Sequence, residues 1–150
     1  IVGLGLIGGS YAMALKEKGY EIGAITLNQD DIDYALENNI RLNIELKPVP
    51  GNTLLEEKVV DLIYNYHFEK FCVISSQYYP SLETVKKISP ELKTVYVMGI
   101  EKDDITDYDK ADAYSIDATF INEDLIHQAH SNGKEINVWT LNTEETIINN

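Results

Sequence analysis

The sequence predicts an α/β fold in which repeated strand–helix units form a parallel sheet. Short apolar runs rich in Val, Ile and Tyr alternate with longer amphipathic stretches along all 150 residues, which is typical of parallel strands covered by helices. No linker-like or low-complexity segment interrupts this alternation, so a single domain over residues 1–150 is expected. Seven such units are compatible with a barrel or with an open, doubly wound sheet, and periodicity alone does not decide between them.

Each predicted element is an apolar or amphipathic run bounded by turn residues. Strands are predicted at residues 1–4, 21–25, 42–46, 71–75, 94–98, 113–116 and 136–140, where β-branched and aromatic residues concentrate. Helices are predicted at residues 9–18, 29–38, 53–66, 81–88 and 122–131. We expect side-chain oxygens of Ser81 and Asn122 to cap the last two helices, and residues 47–52 to form a loop between a strand and a helix.

Composition excludes several classes of function. Twenty-five acidic against 12 basic residues give a formal charge of −13, which repels a phosphate backbone, so nucleic acid is not an expected partner. No run approaches the roughly 18 apolar residues of a membrane helix, so no membrane span is expected. Cys72, the single cysteine, lies in an apolar run and is predicted to be a small buried residue in a cytoplasmic protein. Because the sequence opens with Ile1 rather than Met, we expect residues to precede it.

The segment Gly3-Leu4-Gly5-Leu6-Ile7-Gly8 follows a predicted strand and leads into a predicted helix. Its first glycine permits a tight turn, its second lets the backbone approach a pyrophosphate, and its third permits close packing of helix on strand. Free N–H groups at the helix start attract an anion, and Ser10 adds a hydroxyl. The segment therefore indicates a dinucleotide-binding turn; the alternative is a tight turn without a ligand.

Residues 1 to about 40, with the motif GLGLIGGS, resemble the start of a prephenate or arogenate dehydrogenase. The resemblance implies a Rossmann-like segment that binds NAD or NADP through Gly3, Gly5, Gly8 and Ser10. Where such enzymes place an acidic residue for the ribose hydroxyls, this strand ends in Thr26, which is predicted to bond the ribose or its phosphate instead. Nothing after residue 40 matches the catalytic parts of those dehydrogenases, so hydride transfer is not expected.

From Arg41 onward, five segments resemble glycerophosphodiester phosphodiesterases, which are TIM barrels: RLNIELK, FCVISSQ, TVYVMG, DAYSID and INVWTLN. The resemblance implies that Glu45 is a ligand of Mg²⁺ or Ca²⁺, that Lys47 is a catalytic residue facing a phosphate, and that Trp139 lines the substrate pocket. Alternation along a strand places Glu45 and Lys47 on one face. The alternatives are an exposed salt bridge for the first two and a core indole for Trp139.

Other parts of the family pattern are absent from these 150 residues. The His-Arg motif of the first barrel strand, the Glu-x-Asp motif of the second and the eighth strand have no counterpart. The three histidines are poor replacements: His67 is predicted near a helix end, and His127 and His130 are predicted to be exposed on one helix. The resemblance therefore implies an incomplete TIM-barrel-like fold without phosphodiesterase activity.

These observations lead to one principal hypothesis and two alternatives. The chain is interpreted as an inactive glycerophosphodiester phosphodiesterase-like protein, an engineered or recombined chimera joined between Ile40 and Arg41. The alternatives are an NAD(P)-binding module and a metal-dependent phosphodiester hydrolase that uses other ligands, such as Asp117. The expected partners are a phosphate-bearing small molecule and a second copy of the chain, paired through the open edges of the sheet.

Overall fold

The computed structural model describes residues 23–24, 41–49, 54–99 and 104–141, together with positions 30, 33 and 37. Six parallel strands form one sheet in the order β1-β2-β3-β4-β5-β6. The strands are β1 (Gly23–Ala24), β2 (Arg41–Leu46), β3 (Cys72–Ser76), β4 (Thr94–Met98), β5 (Ala113–Asp117) and β6 (Glu135–Trp139). The helices are α1 (Leu55–Asn65), α2 (Tyr79–Ile88) and α3 (Glu123–Ser131). Positions 30, 33 and 37 are helical and exposed.

The strand order decides between the two predicted architectures. Each described strand pairs with the next one along the chain, and all five pairings are parallel. A doubly wound sheet instead reverses its strand order at a switch point, and the described strands contain no reversal. The open doubly wound alternative is therefore wrong for this part of the chain, whose order is that of consecutive strands in a partial TIM barrel.

The hydrophobic core lies between one face of the sheet and the helices. Leu42, Ile44 and Leu46 alternate along β2 as buried residues, because every second side chain of a strand points to the same face. They share the core cluster with Ile74 of β3 and with one stripe from each helix: Val60 and Ile63, Leu82 and Val85, Leu125 and Ala129. The opposite face of β2 carries Asn43 and Glu45, both half-buried. The helices thus cover one face, and the polar face is the one a barrel turns inward.

Most predicted elements within the described residues are confirmed with end shifts of one or two residues. β4 has the predicted bounds, and α3 begins after Asn122, whose side chain accepts a hydrogen bond from Leu125 N at 2.9 Å. The predicted cap at Ser81 is wrong. α2 begins earlier, at Tyr79, because Pro80 suits the first turn, where its missing N–H leaves no bond unmade. The predicted strand at 1–4 and helix at 9–18 lie outside the described residues.

Two helices end with the same backbone motif but with different residues. After α3, Gly133 has φ 68° and donates to His130 O, while Lys134 N donates to Ala129 O, both at 3.0 Å. After α1, His67 takes the equivalent position with φ 55°. His67 N donates to Tyr64 O at 3.1 Å, and the next N–H donates to Ile63 O at 2.9 Å. Both are Schellman motifs, in which a left-handed residue closes the helix.

Cys72 is 5% exposed on β3, and burial raises the pKa of its thiol to about 12. Its low exposure confirms the prediction that Cys72 is a small buried residue. Within the described part of the chain, every helix is too short or too polar to cross a lipid bilayer.

Candidate functional site at the carboxyl edge of the sheet

Because all strands are parallel, their carboxyl ends meet at one edge of the sheet. Glu45 pairs in register with Ser75 near the end of β2, and Asp117 pairs with Trp139 at the ends of β5 and β6. Lys47 directly follows β2. The structure therefore brings the predicted residues of the barrel-like part to a single edge, on the face opposite the helices.

Glu45 and Lys47 lie together, as their spacing predicted. Lys47 Nζ is 3.2 Å from Glu45 Oε2, and the side chains are 77% and 24% exposed, respectively. An ion pair this open to solvent contributes little to stability, because water and salt screen it and two long side chains must be held in place. The ammonium of Lys47 is therefore free to turn toward an anionic ligand at small cost.

A surface cavity of about 760 Å³ surrounds this pair. Its polar lining consists of Glu45, Lys47, Glu56 and Gln77, and its apolar lining consists of Leu46, Pro48, Val49 and Tyr78. Lys47 is the only basic residue among the described lining residues, and none of the three histidines is among them. The carboxylate of Glu56 accepts a hydrogen bond from the Ser81 hydroxyl. The volume is that of a typical small-molecule site.

Ser76 holds two sides of this cavity together. Its hydroxyl donates to Leu46 O at 2.8 Å and accepts from Tyr78 N at 3.0 Å. The first bond joins the ends of β2 and β3, and the second fixes the backbone where the chain leaves β3. Sequence reasoning missed Gln77 and Tyr78 as lining residues. The available signal was their position directly after a parallel strand, where side chains reach the same edge as Lys47.

Trp139 and Asp117 lie at the same edge but do not line this cavity. Trp139 is half-buried, its Nε1 donates to Ser115 O at 3.2 Å, and its ring lies against Gly99, where a Cβ would be 3.6 Å away. Asp117 accepts hydrogen bonds from Thr119 N at 2.9 Å and Thr119 Oγ1 at 2.7 Å. These bonds lower the pKa of Asp117, so it is a carboxylate at neutral pH.

The described residues do not by themselves fit a divalent cation. They contain no group of three His, Cys, Asp or Glu side chains that could hold a metal ion. Glu45 and Asp117 are on β2 and β5, which are not neighbours in the sheet. Glu45 would thus contribute a single carboxylate, whereas Mg²⁺ and Ca²⁺ take six or more oxygens.

The proposed nucleotide-binding residues Gly3, Gly5, Gly8, Ser10 and Thr26 lie outside the described residues. Their role stays a prediction. The predictions for His67, His127 and His130 are confirmed: all three are exposed, the first at the end of α1 and the others on α3.

Comparison with solved structures first defines the class of fold. A candidate glycerophosphoryl diester phosphodiesterase from Silicibacter pomeroyi DSS-3 superposes with a TM-score of 0.70 and is 18% identical, covering 80% of this chain and 48% of that chain. A phosphodiesterase from Oleispira antarctica, in complex with the product sn-glycerol-3-phosphate, has a TM-score of 0.63 and is 20% identical, covering 79% and 50%. At this identity the likeness shows the fold alone, a partial TIM barrel.

Comparison of sequences then gives a more specific match than the fold does. The glycerophosphodiester phosphodiesterase of Caldanaerobacter subterraneus is 31% identical over 122 residues, which cover 74% of this chain and 47% of that protein. The chain therefore spans about half the length of the curated relative it matches. Residues from about 41 to 150 match glycerophosphodiester phosphodiesterases in sequence and in structure. No family model matches the chain. The dehydrogenase resemblance of the first 40 residues receives no support from these comparisons.

Proposed function

We propose that this chain is a glycerophosphodiester phosphodiesterase-like protein that binds a phosphate ester beside Lys47 and does not hydrolyse it. The observation that carries the proposal is the placement of Lys47 and Glu45 at the carboxyl edge of a barrel-type sheet, in a cavity of about 760 Å³. This edge is where TIM-barrel proteins bind their ligands.

Charge around the cavity sets the expected strength of binding. Lys47 supplies one ammonium, while Glu45 and Glu56 add two carboxylates that oppose a phosphate dianion. The hydrogen bond from Ser81 offsets part of the charge of Glu56. A single exposed ammonium near two carboxylates gives weak attraction in water, so we expect dissociation constants in the millimolar range.

The lack of turnover follows from the residues available for proton transfer. Cleavage of a phosphodiester needs groups that activate the nucleophile and protonate the leaving group. No histidine lines the described part of the cavity, and the sequence contains no His-Arg pair. Its one Glu-x-Asp triplet, at residues 101–103, comes after β4 in the chain and not on a second barrel strand. Glu45 and Glu56 remain as the carboxylates of the described lining.

Titration of the ¹⁵N-labelled chain with glycerol 3-phosphate, followed by NMR, tests binding. Shifts should concentrate at Lys47 and Gln77, and Lys47→Met should weaken binding at least several-fold. The control is Lys58→Met, which removes an exposed lysine of α1 that does not line the cavity. Equal binding by Lys47→Met and wild type would contradict the proposed site. Steady release of glycerol phosphate from glycerophosphocholine, abolished by Glu45→Ala, would refute the lack of turnover.

A metal-dependent hydrolase that uses Asp117 or other ligands is the first alternative. The described residues disfavour it, because they contain no group of three or more His, Cys, Asp or Glu side chains around Glu45 or Asp117 that could hold a metal ion. We therefore expect any Mg²⁺ or Ca²⁺ site at Glu45 to be too weak for saturation at millimolar concentration in calorimetry. Tight binding lost in Glu45→Ala would favour the alternative.

The glycine-rich opening supports a second alternative, an NAD(P)-binding module in a chimera joined near residue 40. This hypothesis rests on Gly3, Gly5 and Gly8 and on their place between a predicted strand and helix. It predicts that NAD or NADP raises the melting temperature and that Gly5→Val abolishes the effect. Unchanged melting at millimolar cofactor would count against it.

A reducing cytoplasm is the proposed location, in keeping with a single buried cysteine.

A further inference from the structure

The two most exposed large apolar side chains of the described residues lie in one place. Val49 is 61% exposed and Tyr78 is 56% exposed, and both line the cavity that contains Lys47. Other exposed apolar side chains, such as Leu62 and Tyr66, lie on or beside α1 and do not line it. Single exposed apolar residues are common on protein surfaces, but two that line one concave site together with charged side chains indicate ligand binding.

The backbone holds Tyr78 at the rim independently of any ligand. Its N–H donates to Ser76 Oγ, and the same hydroxyl donates to Leu46 O. Tyr78 has an extended backbone as the residue before α2, and Pro80 restricts the first turn of that helix. Across the cavity, Pro48 and Val49 directly follow Lys47 on the loop after β2. Tyr78, Pro48 and Val49 form the apolar rim of the cavity, and the bonds through Ser76 hold the backbone of Tyr78 there without a ligand.

We propose that this rim selects phosphate esters whose alcohol part is aromatic or aliphatic over esters of polyols. The proposal rests on the proposed function: Lys47 binds the phosphate, and the ring of Tyr78 with Val49 covers the apolar group attached to it. An aromatic side chain is suited to this role because it offers a large, rigid surface that needs little ordering on binding. Burial of roughly 40 Å² of the ligand's apolar surface would raise affinity about fivefold.

Phenyl phosphate and glycerol 3-phosphate are matched probes, because both are phosphate monoesters and they differ in the alcohol. NMR titration of the full chain should show phenyl phosphate binding about fivefold more tightly. Tyr78→Ala should lower the affinity for phenyl phosphate to about that for glycerol 3-phosphate. Tyr78→Phe should keep the preference, and so should the control Tyr66→Ala, which truncates an exposed tyrosine outside the cavity.

The outcomes separate this proposal from the proposed function. Equal affinity of wild type for both probes, with binding still dependent on Lys47, would overturn the selectivity alone. A preference that survives in Tyr78→Ala would overturn the role of the rim. Absence of binding by either probe would overturn the phosphate site and the selectivity together.

Discussion

Asp112 makes several polar contacts, and it lies at the edge of the sheet opposite the cavity. Its Oδ2 is 2.7 Å from Lys86 Nζ and accepts hydrogen bonds from Thr94 N at 2.8 Å and Thr94 Oγ1 at 3.2 Å. Lys86 also donates to Leu92 O at 2.8 Å. These bonds join α2 to the starts of β4 and β5, so polar contacts at this edge serve the fold.

Asp112→Asn is expected to destabilise the protein by about 1–3 kcal/mol at pH 7, because it weakens hydrogen bonds to a partly buried charged group. Burial alone would raise the pKa of Asp112, but the bonds from Lys86 and Thr94 outweigh it and lower that pKa. Because the pKa of Asp112 is lower in the folded protein, the ionised carboxylate stabilises the fold at pH values above its ordinary pKa of about 4. This stabilisation is lost as the pH falls through the pKa of the folded state.

Urea unfolding of wild type and Asp112→Asn between pH 7 and pH 2.5 measures this effect. The difference in unfolding free energy should narrow below about pH 4. Asp107→Asn, an exposed aspartate on the same loop, is the matched control and should differ little from wild type. A difference for Asp112→Asn that stays constant with pH would show that its ionisation does not matter.

At the scale of elements, the ends of α1 and α3 show how one backbone motif tolerates two sequences. Both use the same pair of hydrogen bonds, yet the left-handed position is Gly133 after α3 and His67 after α1. A left-handed conformation brings the Cβ of an ordinary residue close to the backbone, which costs about 1–2 kcal/mol. The next residue, Phe68, is buried, and this burial offsets the cost of the left-handed residue at the end of α1.

Substitutions at these two positions should change the stability of the protein in opposite directions. His67→Gly is expected to stabilise the protein by about 0.5–1 kcal/mol, since relief of strain exceeds the added flexibility of the unfolded chain. Gly133→Ala should destabilise it by about 1 kcal/mol, although nothing lies within 4 Å of the added Cβ. Thermal unfolding followed by circular dichroism measures both. Destabilisation by His67→Gly would show that the imidazole makes a favourable contact.

At the scale of the whole molecule, the consecutive order of the described strands leaves β6 as the last of them. β6 is the most exposed of the five longer strands: Glu135 and Asn137 are exposed and its other residues are half-buried. Trp139 O accepts from Ala118 N on the β5 side. Because the backbone groups of successive residues point to opposite sides of a strand, the N–H of Val138 points away from β5. An outward row of such groups is a template for pairing with another chain.

We expect the chain to self-associate through this edge at high micromolar concentration. Val138→Pro should lower the association, because proline removes the outward N–H and leaves the bonds to β5 in place. Val138→Thr is the control that keeps the N–H. Sedimentation equilibrium over a range of concentrations measures both. Wild-type protein that stays monomeric throughout, or association unaffected by proline, would contradict this use of the edge.

The sequence by itself determined most elements of the described residues and the proximity of Glu45 and Lys47. Strands and helices follow from local periodicity, and Glu45 near the end of β2 lies beside Lys47 because the two residues are only two positions apart in the chain. The single-domain organisation and the roles of the glycine-rich opening and of Trp139 remain predictions. Only the tertiary structure decided the strand order, the inclusion of Tyr78 and Gln77 in the cavity, and the separation of Asp117 from Glu45. These depend on which strands pair, and pairing between distant segments leaves no periodic signal in the chain.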